Sequence, residues 1–134
     1  DYYKSFVEVE DVNNYGEMTF FVENILKTIK KGQEMIIELL NDSIIRFKHS
    51  MEILNEITKD LSEKENIILQ IYLQNYLFND FEEITNIELT DIINDSTQQT
   101  INKYTQELEK KEYLLKIKQR PLTYTLAEKI TDKL

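Results

Sequence analysis

Apolar residues recur at helical spacing along most of this chain. Four of them predict a helix that begins near Thr19 and reaches Lys30-Lys31-Gly32. These four are Phe21, Ile25, Leu26 and Ile29. Lysines in a last turn followed by glycine are typical of a helix end, whereas Gly32 inside one longer helix would cost about 1 kcal/mol relative to Ala. The spacing leaves both alternatives open.

Helical periodicity is clearest from Gln33 to about Lys59. Six apolar positions alternate intervals of three and four residues, which is a heptad seam: Ile37, Leu40, Ile44, Phe47, Met51 and Leu54. Five more apolar residues widen this seam: Ile36, Leu39, Ile45, Ile53 and Ile57. A seam this wide favours packing in a globular core. The alternative is that two copies of the chain dimerise through the helix at 33–60.

A capping signal after Leu61 predicts a further helix. Ser62 and Glu65 match a capping box, in which each side chain binds the other residue's backbone N–H. Apolar residues cover most of the circumference behind it, so this helix should be the most buried of its domain. They include Ile67, Ile68, Ile71, Tyr72, Tyr76 and Phe78. Asn79-Asp80 is predicted to end the helix.

Two further capping boxes predict a helix-turn-helix. Thr85 with Glu88 begins the first helix, with Ile84 and Leu89 as a hydrophobic staple. Ser96 with Gln99 begins the second helix, predicted over 96–111. The first helix should bury Leu89, Ile92 and Ile93 and end at Asn94; the second should bury Ile101, Tyr104 or Thr105, and Leu108. Two capped helices separated by a short turn are typical of a helix-turn-helix.

Alternating residues after these helices predict a β-hairpin. Leu115 and Ile117 alternate with Lys116 and Lys118, so we expect the leucine and isoleucine to be buried. The second strand buries Leu122, Tyr124 and Leu126 by the same pattern. The predicted fold is therefore mainly α: a helical N-terminal segment with a long helix at 1–61, then a winged helix-turn-helix with a small β-hairpin at 62–134. A last short helix is predicted from Glu128.

Charge is distributed unevenly along the 134 residues. Residues 1–95 contain 8 Lys and Arg against 20 Asp and Glu, a net −12, whereas residues 96–134 contain 8 against 5, a net +3. An acidic body repels nucleic acid everywhere except at a basic tip. The sequence contains no cysteine, no signal peptide and no apolar run of membrane-spanning length. We therefore expect a cytoplasmic protein with no membrane partner.

The polar face of the second helix and the basic hairpin together predict binding to double-stranded DNA. Amide side chains can form hydrogen bonds to adenine. Hydroxyl groups and helix N-termini bind phosphates, and the cations neutralise the phosphate charge. The predicted DNA-binding residues are Ser96, Thr97, Gln98, Gln99, Asn102, Lys103, Lys116, Lys118 and Arg120. Nearby acidic residues oppose this interpretation: Glu82, Glu83, Glu88 and Asp91.

Two groups of residues resemble a known family. Towards the C-terminus they are Ser96, Thr100, Ile101, Tyr104, Leu108-Glu109-Lys110-Lys111, Arg120-Pro121-Leu122, Tyr124 and Leu126; towards the N-terminus they are Tyr2-Tyr3-Lys4 and the run from Gly16 to Val22. The first group resembles the C-terminal winged-helix domain of many bacterial Fic-family proteins. The second resembles the helices that follow the Fic catalytic motif. Because the chain begins at Asp1 and not at Met, we expect it to be a piece of a longer protein.

The resemblance implies an attached Fic catalytic domain, which transfers AMP from ATP onto a protein hydroxyl (AMPylation). The family motif, His-Pro-Phe-x-x-x-Gly-Asn-Gly-Arg, does not occur here, where His49 is followed by Ser50-Met51. We therefore predict no enzyme, no cofactor and no metal site in this chain. The alternatives to DNA binding are a protein-interaction or dimerisation module that regulates the attached Fic domain and, as a lesser alternative, a MarR-like transcriptional regulator.

Two residues depart from the pattern of winged helices. Asn94 stands where the turn usually holds glycine, which is a conservative change. Glu112 follows Lys110-Lys111 at a position that often holds glycine. If the backbone is left-handed at this position, a residue with a Cβ would cost about 1–2 kcal/mol.

Overall fold

The computed structural model describes residues 2–15, 17–78, 83–93 and 95–134. The chain is mainly helical and contains a small three-stranded antiparallel sheet. Predictions that concern Gly16, Asn79-Asp80, Glu82 or Asn94 lie outside the described residues. Within those residues, no helix has the length and apolar character that crossing a membrane requires.

The elements follow one another in the order helix, helix, helix, strand, helix, helix, strand, strand, helix. Their bounds are α1 Tyr2–Glu10, α2 Thr19–Ile57, α3 Glu63–Phe78, β1 Ile84–Thr85, α4 Asn86–Ile92, α5 Gln98–Lys110, β2 Leu114–Gln119, β3 Leu122–Leu126 and α6 Glu128–Thr131. A short 3-10 helix, Val12–Asn14, lies between α1 and α2.

The chain divides into two compact units, residues 1–44 and 45–134, and the boundary between them falls inside α2. The domain boundary at residue 61 was inferred from sequence patterns and stays a prediction. Of the two alternatives for Gly32, the structure has the continuous helix, since α2 runs from Thr19 to Ile57 without interruption.

The first unit has little packing of its own. The ring centres of Phe6 and Phe21 lie 4.8 Å apart in an edge-to-face arrangement, which joins α1 to the start of α2. Among the side chains described in this unit, however, none is buried. The heptad seam therefore has no core to enter here: Ile37, Leu40 and Ile44 are each about half exposed.

The second unit holds the hydrophobic core. Leu54 in the last turns of α2 is buried, and Phe47 and Met51 are half-buried, so core packing of the seam is confirmed for this part of the helix. The core consists of Leu54, Ile68, Leu69, Tyr72, Leu73, Ile84, Leu89, Ile101, Leu108, Leu114, Tyr124, Leu126 and Ile130. Of the described helices, α3 contributes the most buried residues, as its apolar circumference predicts.

The capping box that begins α3 is confirmed. The Glu65 carboxylate accepts from the Ser62 backbone N–H at 2.9 Å and from its hydroxyl at 2.7 Å, and the Ser62 hydroxyl accepts from the Glu65 N–H at 3.4 Å. The box at Thr85 and Glu88, which begins α4, is confirmed in the same way. Along α4, Leu89 is buried as predicted. The prediction that Ile92 is buried is wrong: this residue ends the helix and is 54% exposed.

The sheet has the strand order β1-β3-β2, with both neighbouring pairs antiparallel. The pairing places Ile84 opposite Tyr124, so the residue predicted as part of a hydrophobic staple also opens a strand. A strand of two residues is too short to alternate, and the sequence pattern therefore predicted only the hairpin. Strand β3 is the central strand, and its buried Tyr124 and Leu126 anchor the hairpin to the core.

The predicted buried face of β2 is wrong, whereas that of β3 is largely confirmed. Leu115 and Ile117 are 58% and 42% exposed, and Leu114 is buried instead. A one-residue change of register exchanges the two faces of a strand, so burial of Leu114 turns Leu115 outward. The pairing is irregular between Lys116 and Lys118, as at a β-bulge.

Candidate nucleic-acid interface

The N-cap of α5 lies one residue later than the sequence predicts, and the helix covers Gln98–Lys110 where 96–111 was predicted. Thr97 has the extended backbone of an N-cap (φ −81°, ψ 155°), and its hydroxyl accepts from the Thr100 N–H at 3.3 Å. Ser96 is not the cap, because it lies in the preceding turn with its N–H donating to the Ile93 carbonyl at 3.1 Å. With Thr97 as cap, Gln99 is the second helical residue and cannot close a capping box.

One face of α5 is anchored in the core and the other is open to solvent. Ile101, Thr105 and Leu108 are buried, which confirms the predicted core face with Thr105 in place of Tyr104. The exposed side carries three uncharged amide groups and two lysines: Gln98, Gln99, Lys103, Gln106 and Lys110. Because Gln98 and Gln99 belong to the first turn, free backbone N–H groups of the helix lie beside their amides.

A buried polar network fixes α5 against α4. The Asn86 side chain is 1% exposed, and its amide nitrogen donates to the Asn102 side-chain oxygen at 2.7 Å and to the Thr105 hydroxyl at 2.9 Å. The Thr105 hydroxyl in turn donates to the Ile101 carbonyl at 3.0 Å. Asn102 is half-buried, so its oxygen positions the helix and is not available to a base.

Two of the predicted hairpin cations are engaged by carboxylates. The Lys116 ammonium lies 3.1 Å from the Glu109 carboxylate and 5.8 Å from the centre of the Tyr124 ring. Lys118 pairs with Glu83, which precedes β1. Sequence reasoning missed these pairs, since 7 and 35 residues separate the partners and no local pattern connects them.

Arg120 is the third of the predicted hairpin cations. It is exposed at the loop between β2 and β3, and its peptide bond to Pro121 is cis. Within the described residues no carboxylate pairs with its guanidinium. Lys103 on α5 is likewise exposed and outside these ion pairs. These two side chains are therefore the predicted DNA-binding cations that remain available to an anion.

Electrostatic contacts also secure the far end of α5. The Glu65 carboxylate, which is 4% exposed, accepts a hydrogen bond from the Lys111 ammonium. Burial alone would raise the pKa of Glu65, but the hydrogen bonds from Lys111 and Ser62 outweigh it and hold that pKa below its ordinary value. Burial, reinforced by the nearby Glu109 carboxylate, raises the pKa of Tyr124 to about 12, and its hydroxyl donates to Glu109 at 3.2 Å.

Glu112 follows α5 in the left-handed region, with φ 61°. The Glu112 N–H donates to the Glu109 carbonyl at 3.0 Å, and the Tyr113 N–H donates to the Leu108 carbonyl at 2.9 Å. This pair of bonds is the Schellman motif, which normally places glycine at the left-handed position. Glu112 therefore has the left-handed backbone in which a residue with a Cβ costs about 1–2 kcal/mol.

An acidic groove lies between residues of α3, β1 and α4. Its volume is about 610 Å³, and three carboxylates line it together with apolar side chains of α3 and α4. The carboxylates belong to Glu83, Glu88 and Asp91. Hydrogen bonds from the Thr85 backbone and hydroxyl hold the pKa of Glu88 below its ordinary value, so it is ionised at neutral pH. Among the described residues no cluster of three His, Cys, Asp or Glu side chains could hold a metal ion.

The structure thus brings Thr97, Gln98, Gln99 and Lys103 together on one helix, and it places Lys116, Lys118 and Arg120 on the hairpin. Such a surface can bind a polyanion weakly and can form hydrogen bonds to base edges. Searches with this sequence and structure matched no family model, no curated protein and no solved structure.

Proposed function

We propose that residues 62–134 form a winged helix that binds double-stranded DNA, with α5 in the major groove and the β2–β3 hairpin as the wing. The observation that carries this proposal is the outward face of α5. Its first two turns present Gln98, Gln99 and Lys103 to solvent while the opposite face is locked in the core. Two amides and a cation at a helix N-terminus are suited to base edges and phosphates.

The order of elements supports the same proposal. A buried helix, a short strand, two helices joined by a turn and a hairpin follow one another from α3 to β3. In winged helices of this order, the second helix of the pair enters the groove and the hairpin contacts the backbone beside it. The network around Asn86 holds α4 and α5 in a fixed arrangement, as groove recognition requires.

The ion pairs on the wing limit its affinity without preventing binding. Lys118 is 54% exposed and Glu83 is 37% exposed, and a pair of this kind contributes only about 0–1 kcal/mol. A DNA phosphate can therefore replace Glu83 at the Lys118 ammonium. With Lys103, Lys118 and Arg120 as phosphate contacts, log Kd should rise with log salt concentration with a slope of about 3.

Fluorescence anisotropy with a mixed-sequence duplex at low salt tests the proposal. We expect binding at micromolar protein, a large loss of affinity for Lys103→Glu and Arg120→Glu, and no loss for the matched control Lys64→Glu on α3. An absence of binding, or equal losses in all three variants, would refute it.

The relation to Fic-family proteins is a separate proposal, which rests on the residue patterns at both ends of the chain. It places this chain behind a catalytic domain and gives the winged helix a place in a larger protein. Reading the coding sequence upstream of Asp1 tests it. A His-Pro-Phe-x-x-x-Gly-Asn-Gly-Arg motif there would support the relation, and an open reading frame without that motif would refute it.

A further inference from the structure

We propose that α5 selects A·T base pairs through the major groove, and that the Gln99 side chain recognises the adenine. The inference rests on the proposed function, because base recognition requires that the domain binds double-stranded DNA. It goes further by naming the base pair that is selected and the residue that selects it. It starts from the direction in which each exposed side chain leaves α5.

One stripe of α5 points directly away from the core. At about 100° per residue, four exposed side chains lie within about 60° of one another around the helix axis. They are Gln99, Lys103, Gln106 and Lys110, and they are called the outward stripe below. The buried Ile101, Thr105 and Leu108 lie on the opposite side. Because the core fixes that side, a groove that receives α5 meets the outward stripe at its centre.

Gln98 lies outside the outward stripe. It is turned about 100° from Gln99 around the helix axis, towards the flank that packs on α4. Asn102 lies on the same flank, where its side-chain oxygen accepts from the Asn86 amide at 2.7 Å. Gln98 therefore points to the edge of a groove, where the phosphates lie, whereas Gln99 points to the base edges.

A glutamine amide matches adenine and does not match guanine. In the major groove adenine presents the N7 acceptor and the N6 amino donor, which pair with the amide nitrogen and the amide oxygen respectively. Guanine presents two acceptors, N7 and O6, so the amide oxygen would face another oxygen with no proton between them. Gln99 is exposed, and both of its amide atoms are open to a base. Asn102 lacks this capacity because its oxygen is already bonded to Asn86.

The side chain that most often recognises guanine does not occur on α5. That side chain is arginine, and the two arginines of the chain are Arg46 on α2 and Arg120 on the hairpin. Lys103 can donate to guanine, but its single charge on a flexible stem reaches phosphates equally well, so it raises affinity for every sequence. The carboxylates that could accept from cytosine are not free to do so, since Glu107 is half-buried and Glu109 is paired with a hairpin lysine. Adenine is thus the base that the outward stripe fits best.

Four duplexes of the same purine and pyrimidine order separate the two grooves. They contain A·T, G·C, inosine·C or 2-aminoadenine·T pairs. Inosine·C has the major-groove edge of G·C without the minor-groove amino group, and 2-aminoadenine·T has the major-groove edge of A·T with that amino group. Fluorescence anisotropy of the full chain at one low salt concentration measures each affinity. We expect A·T and 2-aminoadenine·T to bind at least about fivefold more tightly than the other two, which is the lower limit for one bidentate amide.

Single substitutions assign this preference to a residue. Gln99→Ala should abolish it by weakening only the A·T and 2-aminoadenine·T complexes. Gln98→Ala and Lys103→Ala should weaken all four complexes by the same factor, because they remove contacts to the phosphates. The matched control Gln74→Ala, at an exposed glutamine of α3, should change none of them. A preference that survives Gln99→Ala, or that Gln98→Ala abolishes, would overturn the assignment.

The same four duplexes distinguish failure of this inference from failure of the proposed function. Tight binding of A·T together with inosine·C would locate the recognition in the minor groove and overturn the inference. Equal binding of all four duplexes would overturn the selection of A·T and leave DNA binding standing. If the full chain binds none of them, the proposed function fails and this inference fails with it.

Discussion

Replacing Glu112 by glycine should stabilise the protein, although glycine usually destabilises. Glu112 holds φ at 61° because the Schellman motif at the end of α5 requires a left-handed residue. A residue with a Cβ costs about 1–2 kcal/mol in this conformation. Glycine removes that cost but gains about 0.5–1 kcal/mol of backbone freedom in the unfolded chain. The expected net gain in the free energy of unfolding is therefore about 0.5–1 kcal/mol.

Urea denaturation followed by circular dichroism measures this gain. Glu112→Ala removes the same charge but keeps a Cβ, so it should change stability by much less than Glu112→Gly. Lys110→Gly, inside the last helical turn, should instead cost about 1 kcal/mol. By thermal unfolding, the gain corresponds to roughly 2–6 °C for a domain of this size. If Glu112→Gly destabilises as much as Lys110→Gly, the left-handed geometry does not govern this position.

Three further predictions concern buried polar groups. The Tyr72 hydroxyl is buried and has no hydrogen-bond partner among the residues that the structure describes. Tyr72→Phe should therefore leave the free energy of unfolding unchanged or raise it by about 1 kcal/mol, and a loss of that size would contradict this. Asn86→Ala should lower it by about 2 kcal/mol, because one buried and one part-buried hydrogen bond are lost, and a neutral effect in urea denaturation would refute the network. The pKa of Glu65 is lower in the folded than in the unfolded chain, so its contribution is present above pH 4.5 and disappears as pH falls through the folded pKa. Glu65→Gln should therefore differ most from the wild type near neutral pH and progressively less below pH 4.5, and a pH-independent difference would refute the assignment.

Features that depend on near neighbours in sequence were predictable. The capping boxes at Ser62 and Thr85 join residues three apart, so spacing alone identifies them. The condition on Glu112 came from the usual winged-helix pattern, in which the position after Lys110-Lys111 often holds glycine. Even here a choice between neighbours went wrong: Ser96 and Thr97 are both good caps, and the turn that uses the Ser96 N–H leaves the role to Thr97.

Features that depend on tertiary packing were not predictable. Leu114 and Leu115 are chemically the same, and only contact with the core decides which of them is buried. The pairing of Lys118 with Glu83 likewise depends on the folding of the sheet, which brings residues 35 positions apart together. The sequence therefore predicted a more basic hairpin than the structure presents, and it predicted Asn102 as a DNA contact although its side-chain oxygen accepts a hydrogen bond from Asn86.

Titration of the ¹⁵N-labelled chain with a short duplex, followed by amide chemical shifts, tests the DNA-binding claim most directly. At low salt we expect the largest shift changes at Gln98, Gln99 and Lys103 on α5 and at Arg120 on the wing, and we expect these changes to disappear as salt is added. Unchanged spectra, or changes confined to α1 and α2, would contradict the account.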